Sequence, residues 1–339
     1  MDLQNATLLN NGTTSLAVFE IGLSSGLILG LALTGTLASL LFIRAVINSS
    51  EYRGSTYFII AISQSIADLH CLLVMSLYAA PSTILQSQIG GIWGDAVAGF
   101  ILNLGWFSSL PIVCLLALNR YIRLCRSKDY DDMFSRARTI KLIAGCWTFG
   151  FIYSLPSLHP TCYLLYDPQR FQWAWTIGGV LGELIATGEL CLVITTLTFV
   201  YAVNILVFRQ YSKLHKEIAP EKGNAKRTTN GDNNSNRCQV QKQREFKIFV
   251  QFFLTCLWLP VFDIPFILGA YVPTTVWYNL WVTLMYICCC SVHGITYLCL
   301  NPKLRQRAFF GGKSTLLAGA SEWATRHDVK MEVIKLNTK

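Results

Sequence analysis

The sequence predicts an all-α fold, a seven-transmembrane helix bundle with a short amphipathic helix after the seventh span. Three observations carry this. The 339 residues are 53% hydrophobic and only 14% charged, where a soluble domain carries about a quarter charged residues. Seven apolar runs each reach the roughly 20 residues that a helix needs to cross a bilayer. The 28 Lys and Arg are sorted between the connecting segments, with Arg170 alone on one side and all the others opposite.

The first run, 19–47, is too long for a signal peptide and has no small-residue cleavage site behind it, so it reads as a retained span. Arg44 and Arg53 follow it. The second run, 57–81, carries Asp68. The third, 97–122, closes on Asn119-Arg120-Tyr121 and opens a basic loop that extends to Lys141. The fourth, 139–158, holds Trp147 and Pro156, and the fifth, 174–208, holds Glu183 and Glu189. Residues 217–243 are polar and rich in Asn and Gly, too poor in apolar side chains to fold alone, and read as a disordered third intracellular loop. The sixth run, 246–272, contains Trp258-Leu259-Pro260 and Asp263, and the seventh is 277–300. Residues 301–310, basic on one side and aromatic on the other, suit a helix lying on the inner membrane surface; 311–339 reads as a cytoplasmic tail.

The charge asymmetry orients the chain. Residues 1–18 are expected outside and the C-terminus inside a plasma membrane. Asn5 and Asn11 open Asn-X-Thr tripeptides, which are glycosylation acceptors on the expected outer face. The net charge of +9 is then membrane topology, and no nucleic-acid partner is implied. Most of the twelve cysteines lie inside spans as small hydrophobes. Their spacing matches no metal site. No nucleophile–base set appears either, so an enzyme is not expected. The absence of an internal repeat counts against most secondary transporters.

Ionisable groups in a bilayer are costly and mark functional sites. Asp68, Glu183, Glu189 and Asp263 have no Lys or Arg partner inside the spans. Each is neutral and hydrogen-bonded to a neighbouring helix, solvated in a cavity, or paired with a cation. Arg120 has two readings, a snorkelling helix-end arginine or a switch at the membrane boundary.

These residues together resemble the rhodopsin-like (class A) G-protein-coupled receptors from about residue 24 to 310. Ala67-Asp68-Leu69 is similar to that family's sodium-site aspartate, with Ser109 at its third-span partner position. Trp147 matches the span-four marker, and Trp258-Leu259-Pro260 the span-six toggle, where Pro260 gives a kink. Tyr201 and Tyr297 fall at the two activation tyrosines. A narrower likeness, to the melatonin-receptor / Moody / Trapped-in-endoderm group, lies in Asn119-Arg120-Tyr121, Cys125, Ser127, Tyr130-Asp131, Phe134, Ser135 and Tyr166-Asp167-Pro168. The resemblance implies a receptor that binds an extracellular small ligand. It further implies activation of a heterotrimeric G protein, inhibitory by the melatonin likeness alone, through outward movement of span six, with Arg120 meeting Tyr201.

The departures are equally specific. The family's outer disulfide is implied at positions that here hold Asp95 and Trp173, which predicts a more mobile outer loop. Span seven has His293-Gly294-Ile295-Thr296-Tyr297 in place of an Asn-Pro pattern. His293 close to Asp68 could replace a sodium ion there as an imidazolium; a neutral histidine bonded to a backbone carbonyl is the other reading. No cofactor is expected beyond that sodium. Eighteen residues before Arg120 stands Leu102, which disfavours an amine receptor, and span seven lacks the lysine of an opsin. By the resemblance, Glu189 and Ser157 take two ligand-contact positions, and a small ligand with a donor or weakly cationic group would meet Glu189 above Trp258, flanked by Trp106 and Phe262. Two rival readings stand beside this one: a transporter or channel that uses the buried acids, and a receptor-like protein that does not couple.

Overall fold

The computed structural model describes residues 18–176, 179–218, 249–250, 252–262, 264–266 and 274–310. Asn5, Asn11, Asp263, most of the expected 217–243 loop and the 311–339 tail lie outside the described residues. Seven long helices build a bundle: α1 (Val18–Ile47), α2 (Thr56–Leu85), α3 (Gly91–Cys125), α4 (Arg136–Ser154), α5 (Gly179–Ile218), α6 (Phe252–Phe266 as described) and α7 (Val276–Leu300). A short α8 (Pro302–Phe310) follows and packs beside α1 and α7. Five of these helices are long and apolar enough to cross a membrane. Of the others, α4 spans 19 residues and begins with Arg136, Arg138 and Lys141, and α6 is shorter as described.

Helix α3 sits at the centre, against α2, α4 and α5, while α1 packs on α7 and α2. The central position demands small residues. A Cβ on Gly105 would lie 2.6 Å from the Ala67 carbonyl oxygen, so only glycine lets α3 close on α2. The outward faces are apolar: Leu33, Leu37 and Leu40 of α1 and Phe151 and Ile152 of α4 are exposed, as suits a lipid solvent. Helix α2 is not uniform. Pro81 has no N–H to give, and the turn before it, Met75–Ala79, widens so that Ala80 N bonds the Met75 carbonyl.

The largest departure from the expected spans is at the fifth. Ala174 and Trp175, the first two residues of the expected 174–208 run, belong to a hairpin and not to a helix. Strand β1 (Leu164–Asp167) pairs antiparallel with β2 (Gln172–Trp175), from Leu164 opposite Trp175 to Asp167 opposite Gln172. The turn is set locally, because Asp167 Oδ1 accepts from Gln169 N (3.0 Å) and Arg170 N (3.2 Å).

This hairpin is strapped down without a disulfide. Tyr166 and Thr83 of α2 share a buried hydroxyl contact of 2.7 Å. Gln86 Nε2 donates to the Pro168 carbonyl (3.2 Å), and Thr283 Oγ1 of α7 to the Phe171 carbonyl (2.6 Å). Burial pushes the Tyr166 phenol up, so its proton stays. At the two positions where the disulfide was implied, Asp95 is fully buried and Trp173 packs between Tyr166 and Tyr78, with ring centroids 5.2 and 6.0 Å away. The outer loop expected to be loose is therefore tied to α2 and α7.

Candidate functional site

Under the hairpin lies a cavity of about 530 Å³, inside the range of roughly 300–1,000 Å³ usual for small-ligand sites. It is lined by α3, α5, α6, α7 and β2, with Trp106, Glu189, Phe262 and Tyr286 on its walls. Glu189 is the one acidic or basic side chain in that lining among the described residues. It is 8% exposed, and its Oε2 accepts from the indole N–H of Trp175 at 3.1 Å. The hairpin thus reaches into the cavity and engages its acid.

Three sequence expectations need correction here. Trp258 does not line the cavity: it is 48% exposed and stacks on Phe262 with centroids 5.9 Å apart. The inward stripe of α6 runs through Phe252, Cys256, Leu259 and Phe262, at steps of three and four, which leaves Trp258 on the outer face. Ser157 is fully buried behind the wall, where its Oγ accepts from Asn103 Nδ2 at 2.7 Å. Asn103, which sequence reasoning missed, is the side chain that reaches the cavity; a lone amide in an apolar span was the signal. Glu183 is exposed on α5 and belongs to no buried cluster.

Trp106 and Cys289 also line a second, much smaller cavity of about 20 Å³ beneath the first. Asp68 Oδ1 accepts there from Gln64 Nε2 at 3.0 Å. His293 Nδ1 approaches Asp68 Oδ2 to 3.1 Å, within ion-pair range but at an angle unfavourable for a hydrogen bond. Ser109 lines the same space, and its hydroxyl donates to the Trp106 carbonyl (2.8 Å) of its own helix.

Near the C-terminal end of α3 Arg120 is 3% exposed, so it does not snorkel. Its Nη2 donates to Asn119 Oδ1 (2.8 Å), and its guanidinium lies 3.9 Å over the ring of Tyr57. Tyr57 and Tyr297 touch through their hydroxyls at 2.7 Å, which links α2 to α7. Asn119 Nδ2 donates to the Tyr130 hydroxyl (3.2 Å), which meets Thr56 Oγ1 at 2.7 Å. Tyr201 donates to the Cys256 carbonyl (3.0 Å) and so joins α5 to α6. Tyr121 is half-buried beside this cluster, and Pro260 sits half-buried one turn above Cys256. Tyr130 entered the sequence reading only through the second-loop likeness, with no role given to it, and Tyr57 was not singled out; it stands beside Phe58, and nothing local distinguishes it.

Residues 30–301 match the family described as serpentine type 7TM GPCR chemoreceptor Srx. The chain is similar to melatonin receptor type 1B-A of Danio rerio, 25% identical over 204 residues that make up 58% of this chain and 69% of the relative. It is also similar to melatonin receptor type 1A of Mus musculus, 28% identical over 145 residues, covering 41% of this chain and 39% of that relative. Squid rhodopsin superposes with a TM-score of 0.77 at 13% identity, covering 90% of this chain and 88% of that one. That likeness shows the fold, a seven-helix bundle.

Proposed function

Because the chain belongs to the serpentine-type 7TM GPCR family matched over residues 30–301, we propose that it is a plasma-membrane receptor in which an extracellular small ligand, held under the hairpin, promotes engagement of a heterotrimeric G protein. It is a multi-pass membrane protein and a receptor, not an enzyme. The observation that carries the ligand reading is Glu189, an acid nearly closed off from solvent at the wall of a 530 Å³ cavity. Its lining offers no basic group among the described residues, so a ligand bearing an N–H donor or a weakly cationic nitrogen suits it and an anion does not. Trp106 and Phe262 supply flat apolar walls. Melatonin and related indoles, suggested by the names of the relatives, are the first compounds to screen.

Ligand binding selects the conformer in which α6 has swung outward, and the G protein binds that conformer. Arg120 leaves Asn119 and the Tyr57 ring and meets Tyr201. The coupling is inhibitory by the resemblance to melatonin receptors, so activity lowers cyclic AMP.

Basal cyclic AMP in cells displaying the wild-type chain, against Arg120→Ala at matched surface expression, tests the coupling. A shift that the substitution abolishes is expected. No shift under any condition would leave a receptor-shaped protein that does not couple. For an agonist found by screening, Glu189→Gln is expected to weaken potency by about tenfold or more, the loss of a charge-assisted hydrogen bond. Unchanged potency would move the ligand elsewhere.

A further inference from the structure

We infer that His293 takes the place beside Asp68 that the wider family gives to a sodium ion, so the polar core of this receptor is built without a metal. Hard cations take a shell of oxygen ligands. Around Asp68 that shell is sparse. Gln64 Nε2 engages Oδ1 at 3.0 Å, and the imidazole Nδ1 stands 3.1 Å from Oδ2. The ring edge at that distance stands where an ion on Oδ2 would have to sit.

The rest of the wall does not compensate. Cys71, Cys289, Cys290 and Leu110 line the space, soft or apolar groups that suit no alkali cation. Besides Asp68, the side-chain oxygens in the lining are Gln64 Oε1, buried without a hydrogen-bond partner, and the hydroxyls of Ser109 and Thr196. The cavity of about 20 Å³ has room for a single water, and one water bonded to Gln64 Oε1 satisfies that orphan without any ion.

The backbone delivers the ring. Gly294 follows His293, and a Cβ there would lie 2.8 Å from Ser39 N of α1. Glycine lets α7 close on α1, and this holds the 3%-exposed imidazole against α2. The residues that replace the family's Asn-Pro pair therefore act together, one as the ring beside Asp68 and the other as the space that seats it.

The test is the melting temperature of the purified full-length receptor in detergent, titrated with sodium chloride against choline chloride at constant ionic strength. A cation that binds the folded state raises the melting temperature saturably. Wild type is expected to show the same melting curve in both salts. His293→Asn, which exchanges the ring for an amide oxygen and frees Oδ2, is expected to gain a sodium-specific rise. A saturable sodium-specific rise in wild type that Asp68→Asn removes would overturn the inference. So would the absence of any sodium response in a folded His293→Asn, because His293 would then not be what excludes the ion. If His293→Asn does not fold, the wild-type and Asp68→Asn comparison still decides.

Discussion

Two of the contacts that hold Arg120 are of different kind, the amide oxygen of Asn119 at 2.8 Å and the face of Tyr57 at 3.9 Å. A neutral amide is a weaker acceptor for a guanidinium than a carboxylate, by about 1 kcal/mol or a little more. That difference is roughly fivefold in a two-state population. Asn119→Asp is therefore expected to lower ligand-independent signalling several-fold, read as basal cyclic AMP at matched surface expression; the Tyr130 hydroxyl, which accepts from Asn119, can turn to donate to the new carboxylate. Tyr57→Leu acts in the opposite direction. It removes the stacked face and the hydroxyl link to Tyr297, and basal signalling is expected to rise. Equal basal levels in wild type and both variants would show that neither contact restrains the arginine.

Among elements, the hairpin was the least legible in the sequence. Trp173, Ala174 and Trp175 extend the apolar run of α5 without a break in composition, and only Asp167-Pro168 upstream signals a turn. Membrane spans are legible because lipid demands long apolar runs of any order, whereas a hairpin capping them uses the same aromatic residues. The site was partly legible for a related reason. Acids and basic groups stand out in spans, which led to Asp68, Glu189, Arg120 and His293. Facing is a matter of a single residue's rotation, and it misplaced Trp258 on the cavity side. Tyr57 was hidden because one tyrosine near an interface looks like any other. The hairpin's ties make a test at this scale. Thr83→Val deletes the buried hydroxyl contact with Tyr166 and leaves a phenol unpartnered, at a cost of about 1–3 kcal/mol. A lower melting temperature is expected, and Tyr166→Phe on the same background is expected to recover part of it, since both partners are then apolar.

For the whole molecule, the distribution of charge carries the topology. All basic residues but Arg170 fall on one side of the expected spans, and such a bias orients helices during insertion. On that topology Asn5 and Asn11 are expected to face the lumen where glycans are added. Treatment with peptide N-glycosidase is expected to increase the mobility of the wild-type chain on a denaturing gel, and Asn5→Gln with Asn11→Gln together are expected to abolish that change. An unmodified wild type would mean that the acceptors are cytoplasmic or unused. The seven helices and their order follow from the same physics at large scale, because a bundle has few ways to satisfy every backbone group away from water.

The strap across the outer face is made of hydrogen bonds and stacked rings, and the eleven cysteines of the described residues are free thiols. Nothing in that strap can be reduced. A receptor whose outer loop hangs on a cystine loses its ligand site in dithiothreitol, and it matures only where the compartment is oxidising. The described strap depends on neither condition. Its cavity keeps its roof in a strong reductant, and the roof assembles by the same reversible contacts wherever the helices do. Each of those contacts is worth about 1 kcal/mol, so the roof can also be lifted one tie at a time.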